Sequence, residues 1–168
     1  MILKFKMLII ALSFGFVVIG SLFAQTDNRL NGRWITVQDD ITMEYRFNNG
    51  NFEDSTNGLS YRRGTYTVSN GNINLNYTHM HGDSFNFIFN ELGISFSKLD
   101  SKWHTLNEVI LAVRPIFIGL GFSERDVNNA IHSMMTSNQS VPYSVDTNTL
   151  ILTFSEGNER TVLIFNKR

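Results

Sequence analysis

His79 and His81 stand two residues apart in the run Tyr77-Thr78-His79-Met80-His81. Alternate side chains of a strand share a face, so in an extended chain these imidazoles continue the row Ile73, Leu75, Tyr77. Asn72, Asn74, Asn76, Thr78 and Met80 take the other face. A His-x-His pair so placed can offer two nitrogens to one metal ion, and Asp83 or His104 could supply a third ligand. The competing reading makes both histidines polar residues at the mouth of a barrel, hydrogen-bonded to backbone or water. Two ligands without an identified third form a motif with many false matches, so the rim reading is the expectation. No metal and no other cofactor is assigned.

The remaining candidates for chemistry are weaker. Asp39 and Asp40 fall in an expected turn, and Glu53 and Asp54 are adjacent on an expected strand, so their side chains point to opposite faces. Neither pair converges on one substrate as paired acid–base catalysis requires, and both are expected to be solvated. Gly119-Leu120-Gly121 lacks the third glycine and the preceding strand of a dinucleotide fingerprint, and reads as a helix-to-helix connection. No serine sits in a Gly-x-Ser-x-Gly elbow. The chain therefore reads as non-enzymatic, with a metal-dependent hydrolase at the histidine pair ranked last.

The elements that would position these residues are short strands. Asn-Gly between alternating apolar residues marks a two-residue hairpin, because both turn positions need positive φ. Asn49-Gly50 separates Met43, Tyr45 and Phe47 from Phe52, and Asn70-Gly71 separates Tyr66 and Val68 from Ile73, Leu75 and Tyr77. Turns at 146–149 and 156–159 divide the C-terminal stretch into strands over 141–145, 150–154 and 161–165. Adding strands over 34–37 and over Phe85 to Phe89 gives eight or nine, a pattern that belongs to an all-β sandwich or barrel. One segment breaks the period. Thr105 followed by Glu108 reads as a capping box, opening a helix that Pro115 should kink or end. Ser123 caps a second helix with Val127, Ile131, Met134 and Met135 on one face, so a two-helix insertion is expected at about 105–137. The first of these helices is apolar almost all round, which suits burial, a lid, or a contact surface.

At the N-terminus, Lys4 and Lys6 precede an uncharged apolar run from Met7 to Gly20 and then Ser21, Leu22, Phe23 and Ala24. This is the layout of a removable secretory signal, with cleavage expected after Ala24; an uncleaved anchor is the alternative, since Met7 to Ala24 is near the lower limit for a span. Cleavage would leave one domain over 25–168, periplasmic or extracellular, with no stable membrane anchor. Without Lys4 and Lys6, 12 basic side chains remain against 15 acidic ones, unclustered, which argues against nucleic acid as a partner. The chain has no cysteine, which excludes disulfides and thiolate metal sites.

Leu30-Asn31-Gly32-Arg33-Trp34 carries a Gly-x-Trp pattern that resembles the opening of lipocalin-type barrels. Tyr45-Arg46-Phe47 before Asn48-Asn49-Gly50-Asn51-Phe52, Gly64-Thr65-Tyr66-Thr67-Val68, and Tyr143-Ser144-Val145 leading to Thr149-Leu150-Ile151-Leu152-Thr153-Phe154 extend the likeness. Together, over 30–92 and 141–168, they resemble the lipocalin-like domains of bacterial secreted and envelope proteins. The resemblance implies a small antiparallel up-and-down β-barrel of eight to nine strands. It gives Gly32 and Trp34 structural roles at the closed end of the barrel, with Arg160, Lys167 or Arg168 covering the tryptophan. It also implies a small apolar ligand in the interior, for which Tyr45, Tyr77, His79, His81 and Phe87 are the candidate lining or rim. An eight-stranded barrel either holds one small ligand or fills with side chains. The alternative is accordingly a filled barrel that contacts another macromolecule through the helical insertion or its loops.

Overall fold

A computed structural model describes residues 25–168 apart from 92, 97, 136, 137, 157 and 158, and, of the side chains in helices and strands, all but those at 88, 91, 130–135, 138, 156 and 159. The expected leader, residues 1–24, lies outside the described residues. The strands are β1 (Gly32–Gln38), β2 (Ile41–Asn48), β3 (Asn51–Thr56), β4 (Leu59–Ser69), β5 (Asn72–His81), β6 (Trp103–Thr105), β7 (Asn138–Val145), β8 (Thr149–Glu156) and β9 (Glu159–Lys167). The helices are α1 (Gly82–Glu91), α2 (Leu106–Gly119) and α3 (Glu124–Met135). Among the described residues the chain forms two compact units, one of 25–77 with 138–168 and one of 78–137.

The first unit is a closed antiparallel eight-stranded barrel. Its hairpins arise where two successive residues accept positive φ. Asn49-Gly50 and Asn70-Gly71 do so as expected, and Asn57-Gly58 and Asp39-Asp40 make the same kind of turn. Asp146 closes the β7–β8 turn by accepting the N–H groups of Asn148 and Thr149 on one carboxylate oxygen, at 2.9 and 2.7 Å. Two contacts complete the ring: β4 with β5, and β1 with β9. The β4–β5 closure depends on Gly64, because a Cβ there would lie 1.9 Å from the Asn76 carbonyl oxygen. Period-two alternation then sends Trp34, Tyr45, Phe47, Phe52, Tyr66, Leu75, Leu150 and Phe165 into one core.

The expected two-helix insertion at about 105–137 is present as α2 and α3, and the second unit has more beside it among the described residues. It holds three helices and the short strand β6, which pairs with the end of β5. Phe85 to Phe89 is not a strand but part of α1. Its phenylalanines satisfy both periods, and the helical one prevails: Phe85 and Phe89, four apart, stack at 5.9 Å and pack with Phe96, Val109 and Val113, while Phe87 is exposed. Asp83 in the first turn complements the positive end of the helix. At α2 the capping box forms as read, with Thr105 Oγ1 accepting the Glu108 N–H and the Glu108 carboxylate accepting the Thr105 N–H. The helix runs through Pro115 to Gly119; the carbonyl deprived of its donor belongs to the solvent-exposed Leu111. Ser123 caps α3 through the Asp126 N–H, and Val127 is buried; Ile131, Met134 and Met135 fall among the side chains outside the description.

Candidate functional site

The barrel interior is not uniformly apolar. Tyr45 on β2 stands opposite Asp54 on β3, and Asp54 opposite Arg62 on β4, so these three share the inward face with Phe47, Phe52 and Tyr66. Arg62 donates to Asp54 from its backbone N–H (2.8 Å) and from Nε (2.9 Å), and Nη2 stands 2.7 Å from the same carboxylate. The guanidinium carbon lies 4.3 Å from the centre of the Tyr77 ring, a cation–π arrangement. Tyr77 in turn donates its hydroxyl to Gln139 Oε1 at 3.1 Å, and its ring meets Phe52 edge-on. Asp54, Arg62, Tyr45, Tyr77 and Gln139 thus form a polar layer across the barrel, beside the aromatic layer of Phe47, Phe52, Tyr66 and Phe165.

Burial governs the electrostatics of this layer. Desolvation raises the Asp54 pKa despite the neighbouring Arg62, whose charge and hydrogen bonds pull the other way. Burial opposes the charge of Arg62 too, but Asp54 outweighs it and the pKa of the guanidinium moves up. Desolvation drives the Tyr45 hydroxyl well above its ordinary value and pushes Tyr77 up to about 12, so both phenols stay protonated donors. Chemically the layer offers fixed donors, two neutral hydroxyls and one compensated charge pair.

Tyr45 and Tyr77 are buried in the barrel core. Asp54 corrects the reading of a solvated acidic pair: only Glu53 is on the outer face, where it accepts from Ser60 Oγ at 3.0 Å, and Asp54 is buried. Arg62 was not singled out at all. The signal for both was parity, because Asp54 is two residues from Phe52, and Arg62 is two from Gly64 and four from Tyr66.

The histidines are placed elsewhere. Ile73, Leu75 and Tyr77 belong to the barrel core, but from Thr78 onward β5 belongs to the second unit, and there it is Met80 that is buried. His79 and His81 therefore belong to the second unit. They sit on the ladder opposite Thr105 and Trp103. The His81 ring meets Trp103 edge-on at 5.1 Å, and its Nδ1 is 3.7 Å from an Asp83 carboxylate that already accepts from Ser101 Oγ at 2.6 Å. His79 Nδ1 lies 2.9 Å from Thr78 Oγ1. His104 pairs with Met80, on the other face of the ladder, and its Nε2 is 2.9 Å from an Asp100 carboxylate oxygen. Asp83 comes to 3.7 Å from His81 and His104 lies on the other face, and among the described residues no three His, Asp or Glu side chains are grouped to hold a metal. Phe87 is exposed on α1, in the second unit.

One end of the barrel is built around Trp34, which is fully buried. Its Nε1 donates to the Leu30 carbonyl at 2.6 Å, within the 3-10 turn Asn28–Leu30. Lys167 supplies the cover, with Nζ 4.9 Å from the ring centre. Gly32 makes room for it: a Cβ at that position would lie 2.8 Å from Lys167 Cε. Arg168, expected as a cover, has its side chain in solvent and contributes its backbone N–H to the Arg33 carbonyl; Arg160 is exposed as well. No protein-family model matches the chain, and no curated protein or solved structure does.

Proposed function

We propose that the protein is an exported, non-enzymatic, lipocalin-like binding module that holds one small amphiphilic molecule in its barrel, with the polar end of that molecule at Arg62. The observation that carries this reading is the Arg62–Asp54 pair inside an aromatic core. Buried ion pairs lose so much hydration that well-packed apolar residues in their place are as stable or more so, which makes stability a poor reason for this one. Nε and Nη2 face Asp54, so the Nη1 end of the guanidinium is the donor for an oxygen-bearing group. The rings of Phe52 and Tyr77 supply the apolar surface next to it. Export rests on Lys4, Lys6 and the apolar run from Met7 to Gly20.

A specific observation favours a second reading. Phe47 lies 5.0 Å from Tyr66 and 6.3 Å from Phe52, and Tyr45 lies 5.5 Å from Phe165, so rings fill the barrel next to Trp34. A barrel solid throughout would work through its outer surface, as an interaction protein. Native mass spectrometry of the protein isolated from its own cells separates the two. Binding predicts an added small mass that leaves on denaturation, and a filled barrel gives the bare polypeptide mass.

A further inference from the structure

The wall of the barrel is unevenly sealed. In β9 the Lys167 N–H donates to the Asn148 carbonyl at 2.9 Å, so odd-numbered residues turn their backbone groups toward β8. The Arg168 N–H donates to the Arg33 carbonyl at 2.9 Å, so even-numbered residues turn theirs toward β1. That second ladder contains only the pairs Trp34 with Lys167 and Ile35 with Asn166. The same register would next bring Val37 opposite Ile164, and no pairing forms there. From Ile164 back to Arg160, β9 is paired with β8 on one side and, among the described residues, with no strand on the other.

Both sides of this open edge are apolar. Val37 is 66 % exposed, Ile164 53 % and Val162 48 %; with Ile41 they are the exposed large apolar residues of the barrel unit among the described residues. An edge strand presents a row of unmet N–H and C=O groups, and proteins usually blunt such edges with lysine, proline or a bulge. Between Arg160 and Asn166, Arg160 is the one charged residue and there is no proline. What fits the edge is an extended strand, uncharged and β-branched, which is a description of the edge itself.

We propose that β9 pairs antiparallel with β9 of a second copy of this chain, about a two-fold axis through Val162. Val162 then faces Val162 of the partner subunit, and Arg160 faces Ile164 of the partner subunit. All three positions are even-numbered and so turn their backbone groups to the edge. No like charges meet within the paired stretch, and the isologous arrangement closes at two copies. A contact of about five residues a side falls below about 1,200 Å² of total buried surface, the class of weak, reversible interfaces.

Sedimentation velocity of the purified protein across a wide concentration range tests this, together with Val162→Lys and Val162→Glu, each checked for folding by circular dichroism. Val162 is half exposed, so both variants are expected to fold. The wild type should move from one to two copies as concentration rises, each variant alone should stay at one copy, and an equimolar mixture of the two variants should recover the dimer. In the wild type, amide exchange at Val162 and Ile164 should slow as concentration rises. A wild type that remains single throughout, variants that dimerise like the wild type, or exchange at those two amides independent of concentration would each overturn the proposal.

Discussion

Arg62 binds Asp54 through two separate donors, its backbone N–H at 2.8 Å and its Nε at 2.9 Å, although the two side chains come from neighbouring strands inside a barrel core. The Asp54 side chain is 7 % exposed and that of Arg62 27 %, so the carboxylate depends on the guanidinium more than the reverse. Arg62→Met should therefore destabilise the protein by about 3 kcal/mol, since it leaves a buried carboxylate unpaired. The double variant Arg62→Met, Asp54→Leu should recover most of that loss. Urea unfolding of the wild type, both single variants and the double variant gives the coupling; additive losses would contradict a paired role.

Two buried carboxylates should respond to acid with opposite signs. Arg33, and then Arg46, hold the Glu44 carboxyl below its ordinary 4.5, so its contribution to stability is complete above that value and is lost as pH falls through the folded pKa. Burial raises Asp54 above its ordinary 3.8, so its contribution is complete below that value and is lost as pH rises through the folded pKa. As pH is lowered from about 7 to about 3, the wild type should lose its advantage over Glu44→Gln. Over the same range it should gain relative to Asp54→Asn. Curves of equal sign in the two comparisons would show that one of these environments is misassigned.

Trp34 is fully buried, holds a hydrogen bond to Leu30 and is covered by Lys167. Trp34→Ala should cost about 3 to 5 kcal/mol. Lys167→Met keeps the aliphatic cover and removes the charge, and should cost about 1 kcal/mol or less. Thermal and denaturant unfolding measure both; equal losses would mean that Lys167 acts by more than its contact with the ring.

Gly64 should tolerate no side chain. The Cβ of alanine would meet the Asn76 carbonyl oxygen at 1.9 Å and the Tyr77 Cα at 3.0 Å, both backbone atoms of the strand that closes the barrel. Gly64→Ala should cost more than about 3 kcal/mol, whereas Gly71→Ala meets nothing within 4 Å and should cost only what positive φ imposes. Similar losses at the two positions would deny the close approach of β4 and β5.

The barrel was largely legible because its turns are local chemistry. Asn49-Gly50 and Asn70-Gly71 announce hairpins from two residues each. Asn57-Gly58 was silent, because Ser55, Thr56 and Ser60 surround it with no apolar alternation. Phe85 to Phe89 misled because a spacing of two and a spacing of four describe the same three rings, and only packing on Phe96 and Val113 decides between them. At His79 and His81 the row that begins at Ile73 keeps its parity, but the strand passes from one unit to the other after Tyr77, which no local pattern marks. Asp54 and Arg62 were readable by parity, and were obscured by the habit of placing charges outside. The early end of the β1–β9 ladder depends on tertiary closure and has no sequence signal.

If the polar layer at Arg62 holds a ligand, replacing Arg62 and Asp54 together should empty the barrel. The wild type and the Arg62→Met, Asp54→Leu variant, produced in the protein's own cells and purified in parallel, are measured by native mass spectrometry. A small molecule should be retained by the wild type and be absent from the folded variant. Equal retention by both would contradict a site at Arg62, and a bare polypeptide mass for the wild type would contradict the binding function itself.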